Sequence, residues 1–191
     1  METRVPYRIG VDEYFDLPET NRPQELRFGV LREPPAPGYH HQIIVGELYE
    51  RLMRHVRRRK LGRVVLSPVD VVLDMQNALV VQPDLVFISR GRLGIATQRV
   101  WGAPDMVVEV LSKTNRRHDS TTKVQWYKKY GVRECWLVDP DNRMIDVLDL
   151  TPAEYTVRVF LERQWVRSAV FPRLRLRGMD VFGAYASGTN L

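Results

Sequence analysis

The sequence is poor in residues that build disulfides or zinc sites. It has one cysteine, Cys135, among 191 residues, which excludes an intrachain disulfide framework and a cysteine-built zinc site. It has four histidines, and His40, His55 and His118 have no ligand-like spacing. No apolar run approaches the roughly 20 residues that cross a membrane, and mixed charges before Asp16 do not resemble a signal peptide. We therefore expect a cytoplasmic protein without a membrane span.

The overall composition indicates how large a hydrophobic core the chain can form and which charge a binding partner would carry. With 44% hydrophobic and 27% charged residues, the chain can form one sizeable core, so we predict a single domain over residues 1–191. Residues 1–24 read as a polar lead-in and residues 170–191 as a C-terminal tail. The formal net charge of +6 favours an anionic partner such as nucleic acid, although a basic surface that binds nothing specific would carry the same charge.

Two carboxylates stand inside apolar, strand-like runs. Asp84 lies within the run 82–88, and Glu109 lies within the run 105–112. An ionised side chain in a half-buried strand is costly unless it is paired, and two such groups on neighbouring strands repel each other. A shared divalent cation removes both costs, and Mg²⁺ prefers carboxylate oxygens together with water and phosphate oxygens. The pair therefore predicts a site for metal-assisted phosphodiester cleavage.

Hydrophobic periodicity predicts a mixed central sheet flanked by helices, which is an α/β (α+β) fold. The predicted helices are a short one near 11–17, a long one from Tyr39 to about Gly62, one from Asp119 or Ser120 to Tyr130, and a short one around 179–186. The predicted strands cover 25–33 with a bend at Gly29, 64–66, 69–73, 79–88 with an interruption at Pro83, 106–111, 134–138, 144–150, 155–161 and 164–168.

The third predicted helix carries a lysine on its apolar stripe. Lys123, Trp126, Tyr127 and Tyr130 recur at i, i+3, i+4 and i+7, so the lysine is expected to face the sheet. Its methylenes could cover the aromatic rings while its ammonium reaches water, which is the commoner arrangement. Near two carboxylates, the ammonium could instead orient an attacking water or stabilise charge on phosphate oxygens.

These features, taken in order, resemble the PD-(D/E)XK nuclease signature, and more specifically the bacterial Uma-two family of restriction-endonuclease-like proteins. The matching segments are ELRFGVL (25–31), HQIIVG (41–46), VQPDLV (81–86), GAPDMVVEVLS (102–112), KVQWY (123–127) and GVRECWLVDP (131–140). The resemblance implies a restriction-endonuclease-like fold and an endonuclease that acts on DNA with Mg²⁺ or Mn²⁺. It also implies that Asp84 and Glu109 are metal ligands and that Lys123 is the signature lysine.

The chain departs from that signature at one position. Leu111 stands two residues after Glu109, so a strict Glu-x-Lys is absent. Lys123 can reach the same space from its helix. Lys113 is a weaker substitute, because four residues beyond Glu109 it is expected to lie past the end of the strand.

Three further residues are candidates for accessory roles. Glu25 belongs to a segment in which the family often carries acids, but it could equally form a salt bridge at a strand start. His41 lies on the apolar stripe of the long helix, where it could hydrogen-bond a site carboxylate, position water or be an ordinary half-buried histidine. Tyr127 shares the stripe of Lys123.

A cluster of cations closes the long helix. It consists of Arg57, Arg58, Arg59 and Lys60, and together with Lys113 these are the candidate nucleic-acid contacts. Cations also favour a helix C-terminus through its dipole, so a solvated surface would show the same pattern.

Together these signals predict a Mg²⁺-dependent DNA endonuclease, with a homodimer favoured because duplex cleavage needs a cut on each strand. A non-catalytic nucleic-acid-binding or regulatory protein on the same scaffold is the alternative. The sequence does not separate DNA from RNA or another phosphodiester as substrate.

Overall fold

The secondary structure comes from a computed structural model, which describes residues 7–18, 20–112, 118–151 and 153–186. The helices are α1 (Val11–Phe15), α2 (Tyr39–Arg59), α3 (His118–Tyr130) and α4 (Gly178–Ala186). The strands are β1 (Glu25–Arg27), β2 (Val30–Arg32), β3 (Gly62–Leu66), β4 (Val71–Asp74), β5 (Leu79–Val81), β6 (Leu85–Ser89), β7 (Val100–Trp101), β8 (Met106–Val110), β9 (Glu134–Asp139), β10 (Met144–Asp149) and β11 (Thr156–Leu161).

The strands form two sheets. The larger sheet has the order β11-β10-β9-β8-β6-β3, and the smaller has the order β2-β1-β5-β4-β7. Strands β8 and β9 are parallel and are connected through α3, whereas β6 runs antiparallel to β8. A parallel pair requires such a crossover, because a tight hairpin joins only antiparallel strands. The mixed sheets and flanking helices confirm the predicted fold class, and the smaller sheet is an addition to it.

The larger sheet is covered on both faces. Helix α2 buries Leu48, Leu52 and Val56 against one face, in a core that it shares with α4. Helix α3 buries Val124 and Tyr127 in the core on the other face, which also contains residues of β4 and β5. The two long helices therefore lie on opposite faces of the strand β8.

The sequence predicts one strand over 79–88 with an interruption at Pro83; the single strand is wrong, whereas the interruption is confirmed. The segment forms two strands that belong to different sheets, β5 in the smaller and β6 in the larger. Pro83 cannot donate to a ladder, and Asp84 follows it at the crossing between the sheets. The Asp84 carbonyl accepts a hydrogen bond from the Ser67 N–H at 3.0 Å.

The prediction of a strand over 164–168 is wrong as well. That segment contributes an isolated bridge between Trp165 and Arg177, and the Val166 N–H donates to the Leu176 carbonyl at 2.8 Å. The long helix ends slightly earlier than predicted, because Lys60 adopts the left-handed conformation (φ 55°) as its C-cap. Within the described residues, no helix combines the length and apolar character needed to cross a membrane.

Candidate active site

A cavity of about 570 Å³ brings together five of the residues singled out in the sequence. They are Glu25 on β1, His41 on α2, Asp84 at the crossing between the sheets, Glu109 on β8 and Lys123 on α3. Elements from both sheets and from both long helices therefore contribute side chains to this cavity.

Asp84 is oriented by two groups at the end of β8 and the start of α2. The Val110 N–H donates to Asp84 Oδ2 at 2.7 Å, and His41 Nε2 lies 3.3 Å from the same oxygen. His41 Nε2 also lies 3.1 Å from the Val110 carbonyl oxygen. The Asp84 side chain is 19% exposed, so it is largely buried at the cavity wall but remains accessible from the cavity.

Glu109 is held by two residues one turn apart on α3. The Lys123 ammonium lies 3.2 Å from Glu109 Oε1, and the Tyr127 hydroxyl donates to that oxygen at 2.5 Å. Tyr127 is fully buried, which keeps its hydroxyl in place. The i, i+4 spacing on a helix puts both donors on the side that faces the strand, as the sequence predicted for Lys123.

Lys123 also contacts an acid of the smaller sheet. Its ammonium lies 2.7 Å from Glu25 Oε1, and Arg27 Nη2 lies 2.6 Å from Glu25 Oε2. Glu25 is 2% exposed, so its charge is compensated by protein groups: these two cations and the Gln82 N–H, which donates to Glu25 Oε1 at 3.3 Å. Arg27 lines the cavity and was not predicted, although its i+2 spacing from Glu25 places both on one face of β1.

The surroundings of Glu109 and Lys123 shift the pKa values of both side chains. Burial raises the pKa of Glu109 to about 7; Lys123 opposes that rise, whereas Asp84 and Glu25 add to it. Burial disfavours the charged form of Lys123, but Glu109 and Glu25 outweigh this effect and hold the pKa of Lys123 above its ordinary value. Lys123 therefore remains an ammonium at neutral pH and is not suited to accept a proton there.

The pKa values of Glu25 and His41 shift in opposite directions, and each shift favours the charged form. Burial disfavours ionised Glu25, yet Lys123 and Arg27 outweigh it and lower the pKa of Glu25. Burial likewise disfavours the His41 imidazolium, but the hydrogen bond and charge of Asp84 and the Val110 carbonyl raise the pKa of His41. The charge of Glu109 is thus less well compensated by the protein than the charge of Glu25.

The donors around the cavity fit a hard divalent cation. Asp84, Glu109 and Val110 all line it, and a cation would compensate the Glu109 charge that the protein leaves poorly compensated. Across the ranges 7–18, 20–112, 118–151 and 153–186, no three His, Cys, Asp or Glu side chains group closely enough to enclose a metal ion. Such a sparse ligand set suits Mg²⁺, which keeps several waters and binds one or two carboxylates plus substrate phosphates.

The basic cluster predicted for nucleic-acid contact lies away from the cavity. Residues 57–60 close α2, whereas His41 lies near its start. At about 1.5 Å of rise per residue, Arg57 lies roughly 24 Å from His41 along the helix axis. The cluster is exposed, but the fold does not bring it to the other candidate residues. Lys113 lies outside the described residues.

Replacing Glu109 with glutamine is expected to stabilise the metal-free protein at alkaline pH. Glutamine keeps the size of the side chain but cannot ionise. The folded-state pKa of Glu109, about 7, lies above its ordinary value of 4.5. Its favourable contribution to the free energy of unfolding is therefore complete below pH 4.5 and is lost as the pH rises through 7.

Urea unfolding in the presence of a chelator, repeated between pH 5 and pH 8, measures this effect. The stability of Glu109→Gln relative to the wild type should increase with pH across that window. A relative stability that stays constant or decreases would contradict the burial of a poorly compensated charge at Glu109.

Comparisons with known proteins agree with this architecture. Residues 11–178 match the family model Uma2, described as "Putative restriction endonuclease". A solved structure from Anabaena variabilis ATCC 29413, described as a "putative nuclease belonging to DUF820", shares the fold with a TM-score of 0.80. The two sequences are 23% identical over 92% of this chain and 98% of that chain. A search of curated proteins finds no match. The family resemblance inferred from the motifs is confirmed, and the chain belongs to the Uma2 family.

Proposed function

We propose that this protein is a metal-dependent endonuclease that hydrolyses phosphodiester bonds in DNA, with Mg²⁺ or Mn²⁺ as its cofactor. The descriptions of the family and of the structurally similar Anabaena protein support the nuclease class. The observation that carries the proposal is the contact between Lys123 and Glu109, 3.2 Å apart. It puts a helix-borne cation beside the strand carboxylate, where the sequence has Leu111 in place of the usual lysine.

The proposed roles follow from the charges in the cavity. Asp84 and Glu109 would hold the cation, which when bound supplies charge stabilisation at the scissile phosphate. Lys123, as an ammonium, stabilises the negative charge that develops on the phosphate oxygens in the transition state. A water oxygen attacks phosphorus in line with the 3′ oxygen, whose bond to phosphorus breaks. The water gives up one proton to solvent and the 3′ oxygen takes one from solvent, which leaves a 5′-phosphate and a 3′-hydroxyl.

Glu25 and Tyr127 serve as positioning residues in this proposal. Glu25 holds the Lys123 ammonium from the smaller sheet at 2.7 Å, and Tyr127 donates to Glu109 from α3. Because Lys123 and Glu109 each have a second partner in addition to one another, the two side chains have little freedom to move apart. Pre-organised groups of this kind lose little free energy when the transition state forms.

In this proposal, the surface of the protein that contacts DNA extends beyond the cavity. The cations 57–60, roughly 24 Å away, would contact phosphates further along a duplex that occupies the cavity. A homodimer would supply one site for each strand of that duplex.

A non-catalytic nucleic-acid-binding or regulatory protein is the second candidate. The observation that favours it is the pairing of Lys123 with both Glu25 and Glu109, since a purely structural ion-pair network would look the same. This candidate predicts binding of nucleic acid without cleavage.

Incubating the purified protein with supercoiled plasmid distinguishes the two candidates. With Mg²⁺ or Mn²⁺ we expect nicked and linear DNA, and with chelator we expect none, because the carboxylates cannot supply the missing charge stabilisation. DNA affinity should fall steeply with added salt as counterions are released from phosphate contacts. Salt-sensitive binding without cleavage under any metal would favour the second candidate, and cleavage of an RNA substrate alone would correct the substrate class.

A further inference from the structure

We infer that the cavity takes one unpaired nucleotide, so that the protein prefers single-stranded or locally opened DNA to an intact duplex. The inference rests on the proposed function and adds to it the form of the DNA substrate. In a duplex, the nucleotide next to the scissile phosphate would have to leave its base pair before cleavage.

The first argument is the depth and size of the cavity. The side chains of Asp84, Glu109 and Lys123 are 19%, 13% and 10% exposed. A phosphate that contacts them must therefore enter the cavity together with the sugar and base attached to it. The cavity volume of about 570 Å³ is within the range of about 300 to 1,000 Å³ that is typical of small-molecule sites. Such a volume suits a nucleotide rather than a stretch of double helix.

The second argument is the charge of the cavity, which does not suit several phosphates. Among the described residues that line it, acids outnumber lysine and arginine side chains by three to two: Glu25, Asp84 and Glu109 against Arg27 and Lys123. A protonated histidine would only make the two signs equal. A bound divalent cation can compensate the scissile phosphate, but a second phosphate inside the cavity would be repelled by the acids. The rest of the substrate inside the cavity should therefore be uncharged, as a sugar and a base are.

The third argument is the number of prolines in the lining of the cavity. Of the 12 prolines in the chain, five line it: Pro23, Pro34, Pro35, Pro37 and Pro68. Proline has no N–H to donate to a phosphate oxygen, and its ring is rigid and apolar. Enzymes that take a base out of the helix hold it by stacking against aromatic or apolar side chains. The prolines are therefore suited to contact the face of a nucleobase.

Two amide side chains can hydrogen-bond the edge of such a base. Asn21 and Gln42 line the cavity, and both residues are exposed. A side-chain amide both donates and accepts hydrogen bonds, which matches the donors and acceptors on the edges of the bases. Gln42 is the better placed of the two, because its N–H donates to the Gly38 carbonyl at 3.2 Å at the start of α2. A group carried by a helix keeps its geometry better than one on a loop.

Cleavage of three DNA substrates that share one sequence tests this inference. They are a single strand, the fully paired duplex and a duplex with a central unpaired bubble. With Mg²⁺ or Mn²⁺, kcat/KM should be about 10-fold or more higher for the single strand and the bubble than for the duplex, because only the duplex must first be unpaired. Cuts in the bubble substrate should lie within its unpaired segment. Equal or faster cleavage of the duplex would overturn the inference and leave the nuclease function standing.

Binding of the same substrates to Asp84→Asn gives a measurement that does not depend on cleavage. This variant has one acid fewer in the cavity, so a phosphate can enter more easily. Fluorescence anisotropy should show tighter binding of the single strand and the bubble than of the duplex. Adding Gln42→Ala should weaken binding of the two unpaired substrates by about 5-fold, the scale of one lost hydrogen bond, and leave duplex affinity unchanged. Adding Gln76→Ala instead is the control, because Gln76 is exposed in the turn between β4 and β5, and it should change neither affinity.

The two measurements separate this inference from the proposed function. Tighter binding of unpaired DNA that depends on Gln42, without cleavage of any substrate by the wild type, would overturn the nuclease function and support the nucleotide site. A preference for unpaired DNA that is the same with and without Gln42→Ala would overturn the assignment of the base to this cavity. Equal binding of all three substrates would likewise overturn the inference, whether or not the wild type cleaves them.

Discussion

Replacing Asp84 with asparagine is expected to reduce DNA cleavage by about 10³-fold or more while DNA binding persists. Asparagine keeps the shape of the side chain. It also keeps an oxygen that can accept a hydrogen bond from the Val110 N–H, which in the wild type donates to Asp84 Oδ2 at 2.7 Å. It removes the charge with which Asp84 is proposed to hold the cation. A cation contributes several kcal/mol to transition-state stabilisation, and each 1.4 kcal/mol or so is a factor of ten in rate.

Binding and cleavage should separate in this variant. Loss of a carboxylate reduces repulsion of the DNA phosphates, so affinity measured by fluorescence anisotropy should stay equal or increase. Asp70→Asn is the matched control, because Asp70 lines the adjacent cavity and contacts Gln82 and Arg99. It removes a similar charge outside the proposed ligands and should retain cleavage. Full activity in Asp84→Asn would contradict the assignment of Asp84 as a ligand.

The parts of the fold that the sequence predicts well are those with a strong local period. Helix α2 repeats buried residues at positions 45, 48, 52 and 56, and that spacing identifies both the helix and its core face. The strands β8 and β9 and the helix α3 between them follow from two apolar runs separated by a helical pattern, whereas their parallel pairing is known from the structure alone. Gly131, with φ 93°, follows α3 at the left-handed position that glycine adopts without strain.

The parts that the sequence misses depend on partners distant in the chain. The run 79–88 reads as one strand because nothing local records that β5 pairs with β1 and β4 while β6 pairs with β3 and β8. The segment 164–168 has a suitable composition but receives only one bridge. A strand exists only where a neighbour accepts its hydrogen bonds, and the identity of that neighbour is a property of the tertiary fold.

The candidate site likewise has features that the sequence predicts and features that it does not. The sequence shows that each of three residues is unusual on its own: two acids in apolar runs and a lysine on an apolar stripe. Each would be costly to bury without a partner. The pairing between them is not local. Lys123 lies closer to Glu25 (2.7 Å) than to Glu109 (3.2 Å), and the contact of His41 with the Val110 carbonyl joins two residues that no sequence period connects.

The consequence of the Lys123 pairing is that its removal should affect both stability and rate. Lys123→Met leaves Glu25, which is 2% exposed, with Arg27 as its remaining cation, and removing one member of a buried pair costs about 3 to 5 kcal/mol in strong cases. The variant is therefore expected to have a lower free energy of unfolding. A loss of activity in this variant alone would not distinguish chemistry from folding.

The double variant Glu25→Gln/Lys123→Met resolves that ambiguity. It removes both charges of the Lys123–Glu25 pair, so the part of the lost stability that comes from Glu25 should return, whereas the part that comes from Glu109, which also loses Lys123, should not. Cleavage should remain reduced by about 10²-fold or more, the scale of losing one group that stabilises the transition state. Lys129→Met is the control for charge on the same helix, because Lys129 is exposed and should leave both quantities near wild type. Urea unfolding and plasmid cleavage measured on the same preparations give the comparison. Recovery of cleavage together with stability in the double variant would show that Lys123 acts only as a structural cation.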